Sequence, residues 1–226
     1  MQIGRLIYII LFSVLASSGF AETQTRLLPS DEAHRDLSLV EFREKLLTAI
    51  EHKEPESLVT MIDQQVWIGH GSKRGMRAFL ALWEPQSIDS ELWETLGEIL
   101  KMGGNFIRSN RGVKFCAPYI YSSFPDELDI YGHGAIISDD VPLKPKPNIS
   151  ARNLTSLSYD LVKVHDWRSV ADSGGVPSRR WIKVTTLSGL EGYVDKKYVR
   201  SPTDYAACFL NRTGVGWKLI SLLNNE

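Results

Sequence analysis

Apolar residues recur every three to four positions in the first half of the chain and every second position in the second half. Leu39, Phe42, Leu46 and Ile50 fall on one helical face, and Ser38 with Glu41 forms an S-x-x-E capping box at its start. "HKEPESLVTMID" restarts a second short helix, with Pro55 suited to its first turn. "QQVWIGHG" reads as a brief strand running into a glycine turn. Met76, Phe79, Leu80 and Trp83 mark a third helix, and Leu92, Trp93, Leu96, Ile99 and Leu100 a fourth. Asp89 or Ser90 caps the fourth, and Gly103-Gly104 stops it. A helical layer is predicted up to about residue 104.

Beyond it the chain breaks into short β-rich runs, "GVKFCAPYIYSSF", "GHGAIIS", "LTSLSYDLVKVHDW", "RWIKVTTL", "LEGYVD", "YAACFLN" and "GWKLISLL", separated by Gly, Pro, Asn and Asp. Strands this short and this closely spaced predict a small barrel or strongly bent sheet. Three prolines keep Val141 to Asn148 extended, and Asp172 to Arg180 reads as a flexible connection between two strands. The fold class is therefore α+β.

The first residues settle the compartment expected for the chain. Arg5, the apolar run "LIYIILFSVLA" and the small residues before Glu22 follow the order of a secretory signal peptide, cleaved after Ala21. The run is shorter than the about 20 apolar residues that cross a bilayer, so no transmembrane anchor is expected in the mature chain. Removing residues 1–21 takes away Arg5 and moves the net charge from −1 to −2. That balance gives no basic surplus to recruit nucleic acid. Cys116 and Cys208 are the two cysteines, and an even pair in an oxidising compartment favours a disulfide over two separate buried thiols.

The stretch from Ala135 to Pro202, "AIISDDVPLKPKPNISARNLTSLSYDLVKV…RRWIKVTTLSGLEGYVDKKYVRSP", resembles the bacterial SH3-like (SH3b-type) domain of exported envelope proteins. The features that carry the resemblance are the proline-containing segment Val141 to Pro147, the strand Leu157 to Val164, Trp181 to Val184, Gly189, and Gly192-Tyr193-Val194. Leu143-Lys144-Pro145-Lys146-Pro147 stands where such domains usually carry an arginine and a small residue. A wider resemblance, in "GHGSKRGMRAFLALW", "SELWETLGEILKMGGNF", "APYIYSSFPDELD" and "RSPTDYAACFLN…GWKLISLL", is to exported proteins in which a helical part precedes the barrel and a final hairpin follows it, a family of unknown function. Residue pattern and resemblance together divide the chain into a signal peptide at 1–21, a loose polar leader at 22–37, a helical region with following strands at 38–134, an SH3-like barrel at 135–200 and a β-hairpin at 201–226. That hairpin is expected to pack back on the N-terminal region and pair with the 113–122 strand, bringing Cys208 to Cys116.

Trp167, Trp181, Tyr193 and Tyr198 are the aromatics that a peptide groove could use, and Asp195 could pair with a cationic peptide end. Packing of the small barrel is the competing role for Trp181 and Tyr193. No catalytic constellation is visible. Cys116 sits in a strand pattern without the setting of a nucleophile. His70 and His133, each in Gly-His-Gly, read as turn residues, and His165 beside Asp166 as a strand end or an orienting pair. No metal-ligand spacing and no cofactor motif occurs. Glu91, Glu94 and Glu98 read as one solvated helix face.

These readings predict an exported, non-catalytic binding protein of the periplasm or cell envelope. Its ligand would be a peptide, for example one derived from peptidoglycan. The alternative is a protein-interaction or inhibitor protein with the barrel as scaffold, and an envelope hydrolase ranks last.

Overall fold

The computed structural model describes residues 25–69, 74–109, 112–174 and 179–223. The segment assigned as a signal peptide, His70, and residues 175–178 of the connection before Trp181 lie outside them. The chain runs through α1 (Leu37–Glu51), α2 (Pro55–Thr60), β1 (Ile62–Trp67), α3 (Met76–Trp83), α4 (Leu92–Lys101), β2 (Asn105–Ser109), β3 (Gly112–Ala117) and α5 (Tyr119–Ser123). Next come β4 (His133–Ile136), β5 (Val141–Leu143), β6 (Thr155–Leu157), β7 (Leu161–Val164), β8 (Val170–Ala171), β9 (Arg179–Thr186), β10 (Glu191–Asp195) and β11 (Val199–Arg200). The hairpin β12 (Ala206–Arg212) and β13 (Gly216–Leu223) closes the chain. No described helix is long and apolar enough to cross a membrane.

The helical part and the last hairpin build one layer pair. Its sheet has the order β1-β13-β12-β3-β2, with β1 parallel to β13 and the remaining pairs antiparallel. The apolar stripes of α1 and α4 bury Leu39, Leu46, Leu96 and Leu100 in the same core as Phe115 of β3 and Phe209 of β12. Cys208 lies opposite Cys116 in the β12–β3 register, and the two sulfurs are bonded at 2.05 Å.

Strands from His133 to Arg200 form a second, curled sheet with the order β10-β9-β7-β4-β11 and β8 on β9. The β5–β6 ribbon joins it through Lys144 and Tyr193, whose backbones exchange hydrogen bonds of 2.9 and 2.8 Å. Gly192 permits that crossing, since a Cβ there would come within 2.8 Å of Leu143. A 3-10 turn, Lys196–Tyr198, leads into β11. Ile136, Leu143, Val162, Ile182, Val184 and Val194 meet inside the curl. The architecture is α+β, and the curled sheet is compatible with an SH3-like barrel.

Three local expectations are corrected. Residues 25–36, expected as part of a loose leader, are docked: Leu27 is buried, its N–H donates to Tyr159 O, and Leu161 N–H donates to Thr25 O. Leu27 joins Tyr119, Ile120, Ala135 and Leu161 in a cluster at the seam between the two sheets. The cap of α1 is Asp36, not Ser38, because its carboxylate accepts from both Ser38 N and Leu39 N; a charged acceptor there also meets the positive end of the helix dipole. The run "GVKFCAPYIYSSF" is a strand only to Ala117. Pro118 cannot extend the ladder and instead precedes α5.

Candidate functional site

Trp181 opens the β9–β10 ladder, and the side chains of Ile182 and Val184 enter the core of the curled sheet while alternation turns Trp181 to the other face. That face is covered. Trp181 is only 3% exposed, and its indole N–H donates to Asp172 Oδ2 at 2.9 Å. The same oxygen accepts from Ile149 N–H at 3.1 Å, and Oδ1 accepts from Gly174 N–H at 2.7 Å. Ser173 N–H donates to Pro147 O at 2.6 Å. One carboxylate thus pins the proline-containing segment and the start of the 172–180 connection together over Trp181. Burial opposes ionisation of Asp172, but the N–H donors of Gly174, Trp181 and Ile149 and the nearby Arg180 charge outweigh it and hold the carboxyl below its usual range.

Asp195, opposite Trp181 in the β10–β9 register, is also occupied. Its Oδ2 accepts from Arg180 Nε at 2.9 Å and from Arg180 Nη2, and Oδ1 accepts from Lys197 N–H at 3.3 Å. The hydrogen bond and charge of Asp195 raise the Arg180 guanidinium further above its already high range. The same guanidinium carbon lies 5.8 Å from the Trp181 ring centre. Asp172, Arg180, Trp181 and Asp195 are therefore one internally satisfied network.

The other predicted aromatics are half-buried. Tyr193 contributes its backbone to the β5 crossing. Trp167 and Tyr198 both pack against the barrel core from outside. Trp167 donates its indole N–H to Tyr131 O at 2.8 Å, and Lys197 Nζ lies 4.7 Å over the Tyr198 ring. The structure joins Trp181 to Asp195 and leaves Trp167 and Tyr198 as partly open rings.

Among the described residues, His133 and His165 are held in separate settings. His133 Nδ1 meets Asp129 O at 3.0 Å, and His165 Nε2 meets Thr185 Oγ1 at 2.7 Å. Asp166 is paired with Arg168 rather than orienting His165. Among the described residues no group of three or more His, Cys, Asp or Glu is placed to hold a metal ion.

Two adjoining hollows open on the helical layer between α1 and α4, of about 450 and 480 Å³. They share Ile50, Trp93 and Glu94. Sequence periodicity showed Glu91, Glu94 and Glu98 on one face but not what lies beside it. The α4 face meets the C-terminal end of α1, about 40 residues earlier, and only the tertiary packing makes a groove of them. The signal in the sequence was Trp93 standing amid those glutamates. No family model matches the chain, and no curated protein or solved structure was found to be similar to it.

Proposed function

We propose that the chain is an exported, non-catalytic interaction protein of the cell envelope, in which the SH3-like barrel is scaffold and the partner is another protein. The network around Trp181 carries this reading. The aromatic and the carboxylate that a peptide groove would present are turned inward, and their polar atoms are spent on Asp172 and Arg180. Opening that face to a peptide would strip a buried carboxylate of donors it already has, at a cost that the new contacts must exceed. The signal-peptide pattern of residues 1–21 supports export, and the disulfide suits an oxidising compartment.

A second reading keeps the barrel as the binding element, with a peptidoglycan-derived or other peptide laid across Trp167 and Tyr198. Their half-exposed rings favour it. Sedimentation with purified peptidoglycan sacculi separates the two. The interaction reading expects the protein to stay in the supernatant; retention on sacculi that is lost in Trp167→Ala would establish the second reading instead.

A further inference from the structure

The α1–α4 groove is acidic, and three of its acids are unpaired among the described residues. Glu51 on α1 and Glu91, Glu94 and Glu98 at α4 line its two halves, together with Asp89. Lys53 and Lys101 are the cations on its walls, and Lys53 Nζ is held by Ile88 O at 2.8 Å. Glu51, Glu91 and Glu94 form no ion pair among the described residues, whereas the barrel's Asp195 and Glu191 are each matched to a cation. Lys53, Lys101 and the Arg200 charge near Glu98 therefore offset only part of the groove's negative potential.

Its floor carries a second, independent sign. Trp93 lines both hollows and is 4% exposed, yet its indole N–H has no acceptor among the described residues. A buried donor without an acceptor is a cost that native packing normally avoids. Ile50 supplies an apolar floor beside it, and Ile88, 71% exposed, an apolar rim. The site thus offers negative charge beside an apolar wall, above a buried N–H donor that no described residue matches. A simple polyamine answers only the first. A peptide with lysine or arginine and apolar side chains answers both the charge and the apolar wall. The ten residues of α4 are about 15 Å long, which about five residues of extended chain cover.

We infer that the groove between α1 and α4 is the docking site for an extended basic segment of a protein partner, held by Glu51, Glu91 and Glu94 and seated against Ile50 and Trp93. This rests on the interaction reading above and gives it a surface and a partner chemistry. Charge complementarity of this kind sets association rate and partner choice, and it weakens with salt.

The test uses the mature protein and a fluorescein-labelled octapeptide of alternating lysine and leucine. Its controls are the glutamate–leucine counterpart and spermine. The lysine peptide binds, more weakly at 150 mM than at 50 mM salt. Replacing two rim charges in Glu51→Gln/Glu94→Gln weakens binding about tenfold, since exposed ion pairs contribute up to about 1 kcal/mol each. Ile88→Ser, which removes the exposed apolar rim, weakens it about threefold or more. An unchanged thermal midpoint shows that each variant is folded. The proposal is overturned by equal affinity in the folded double variant, by binding of the glutamate peptide, by no binding at all, or by displacement with spermine at the peptide's own concentration. Dimerisation of the protein that the double variant abolishes would assign the face to a second copy and also overturn it. Each of these results leaves the interaction reading standing on the sacculus experiment.

Discussion

Trp181 and Asp172 stand nine positions apart and are joined by an N–H···O bond of 2.9 Å that also gathers the Ile149 and Gly174 amides onto one carboxylate. Trp181→Phe removes the indole donor to the shared carboxylate while keeping an aromatic ring at the site. Hydrogen bonds to charged groups contribute about 1.5–3 kcal/mol, so urea unfolding of this variant should show a loss of about that size. Native-state hydrogen exchange should show the Ile149 and Gly174 amides opening faster while the β9–β10 ladder stays protected. An unchanged pair of amides would mean that Asp172 does not hold the two segments together.

Acid should release the same latch. The folded protein holds the Asp172 carboxyl below its usual range, so it is the ionised form that folding stabilises. That contribution is complete above the unfolded value of about 3.9 and disappears as the pH falls through the lower folded value. Protection of the Ile149 and Gly174 amides, measured from pH 6 downwards, should fall in this acid window and not before it. In Asp172→Asn the protection should be weaker throughout and should no longer follow this titration.

Glycines in and beside α4 should respond in opposite directions. Gly97 lies in the helix, and a Cβ there would meet Ile50 Cγ2 at an ordinary 3.6 Å. Gly97→Ala should stabilise the protein by about 0.5–1 kcal/mol through helix propensity. A Cβ on Gly104 would come 2.3 Å from Cys116 O, which is backbone and cannot swing away. Gly104→Ala should cost about 1–3 kcal/mol. Thermal or urea unfolding of the two variants checks both signs.

The disulfide closes a loop with a sequence separation of 92. Loop-closure entropy alone assigns such a bridge about 4–5 kcal/mol. The Cys116→Ala/Cys208→Ala variant should therefore unfold at markedly lower urea. The β12–β3 pairing that flanks the bridge should still form in its native state, as hydrogen exchange at Phe209 and Phe115 would report.

The hairpin from β9 to β10 is legible in the sequence, because Trp181, the alternation after it, Gly189 and Gly192-Tyr193-Val194 specify two strands and a tight turn. Gly189 does take the left-handed backbone, at φ +92°. What the pattern could not say is what lies over Trp181. Alternation assigns a face, whereas Asp172 and Ile149 reach that face from loops with no period of their own. The parallel pairing of β1 with β13 was hidden for a related reason, since about 150 residues separate the strands. Asp36 lost the capping role to Ser38 in the sequence because the S-x-x-E spacing is complete, although an aspartate two residues earlier is the stronger acceptor. The α1–α4 groove was half visible: the glutamate face could be read from one helix, but its apolar floor belongs to two.

Site-specific photo-crosslinking in cells that produce the protein tests the central claim most directly. A benzoylphenylalanine replaces Glu94 in the α1–α4 groove in one strain, and in another it replaces Ile149, exposed on the segment latched over Trp181. The account predicts a discrete protein adduct from position 94 and none from position 149. An adduct from position 149 alone would contradict it, because the barrel would then be the gripping element rather than the scaffold.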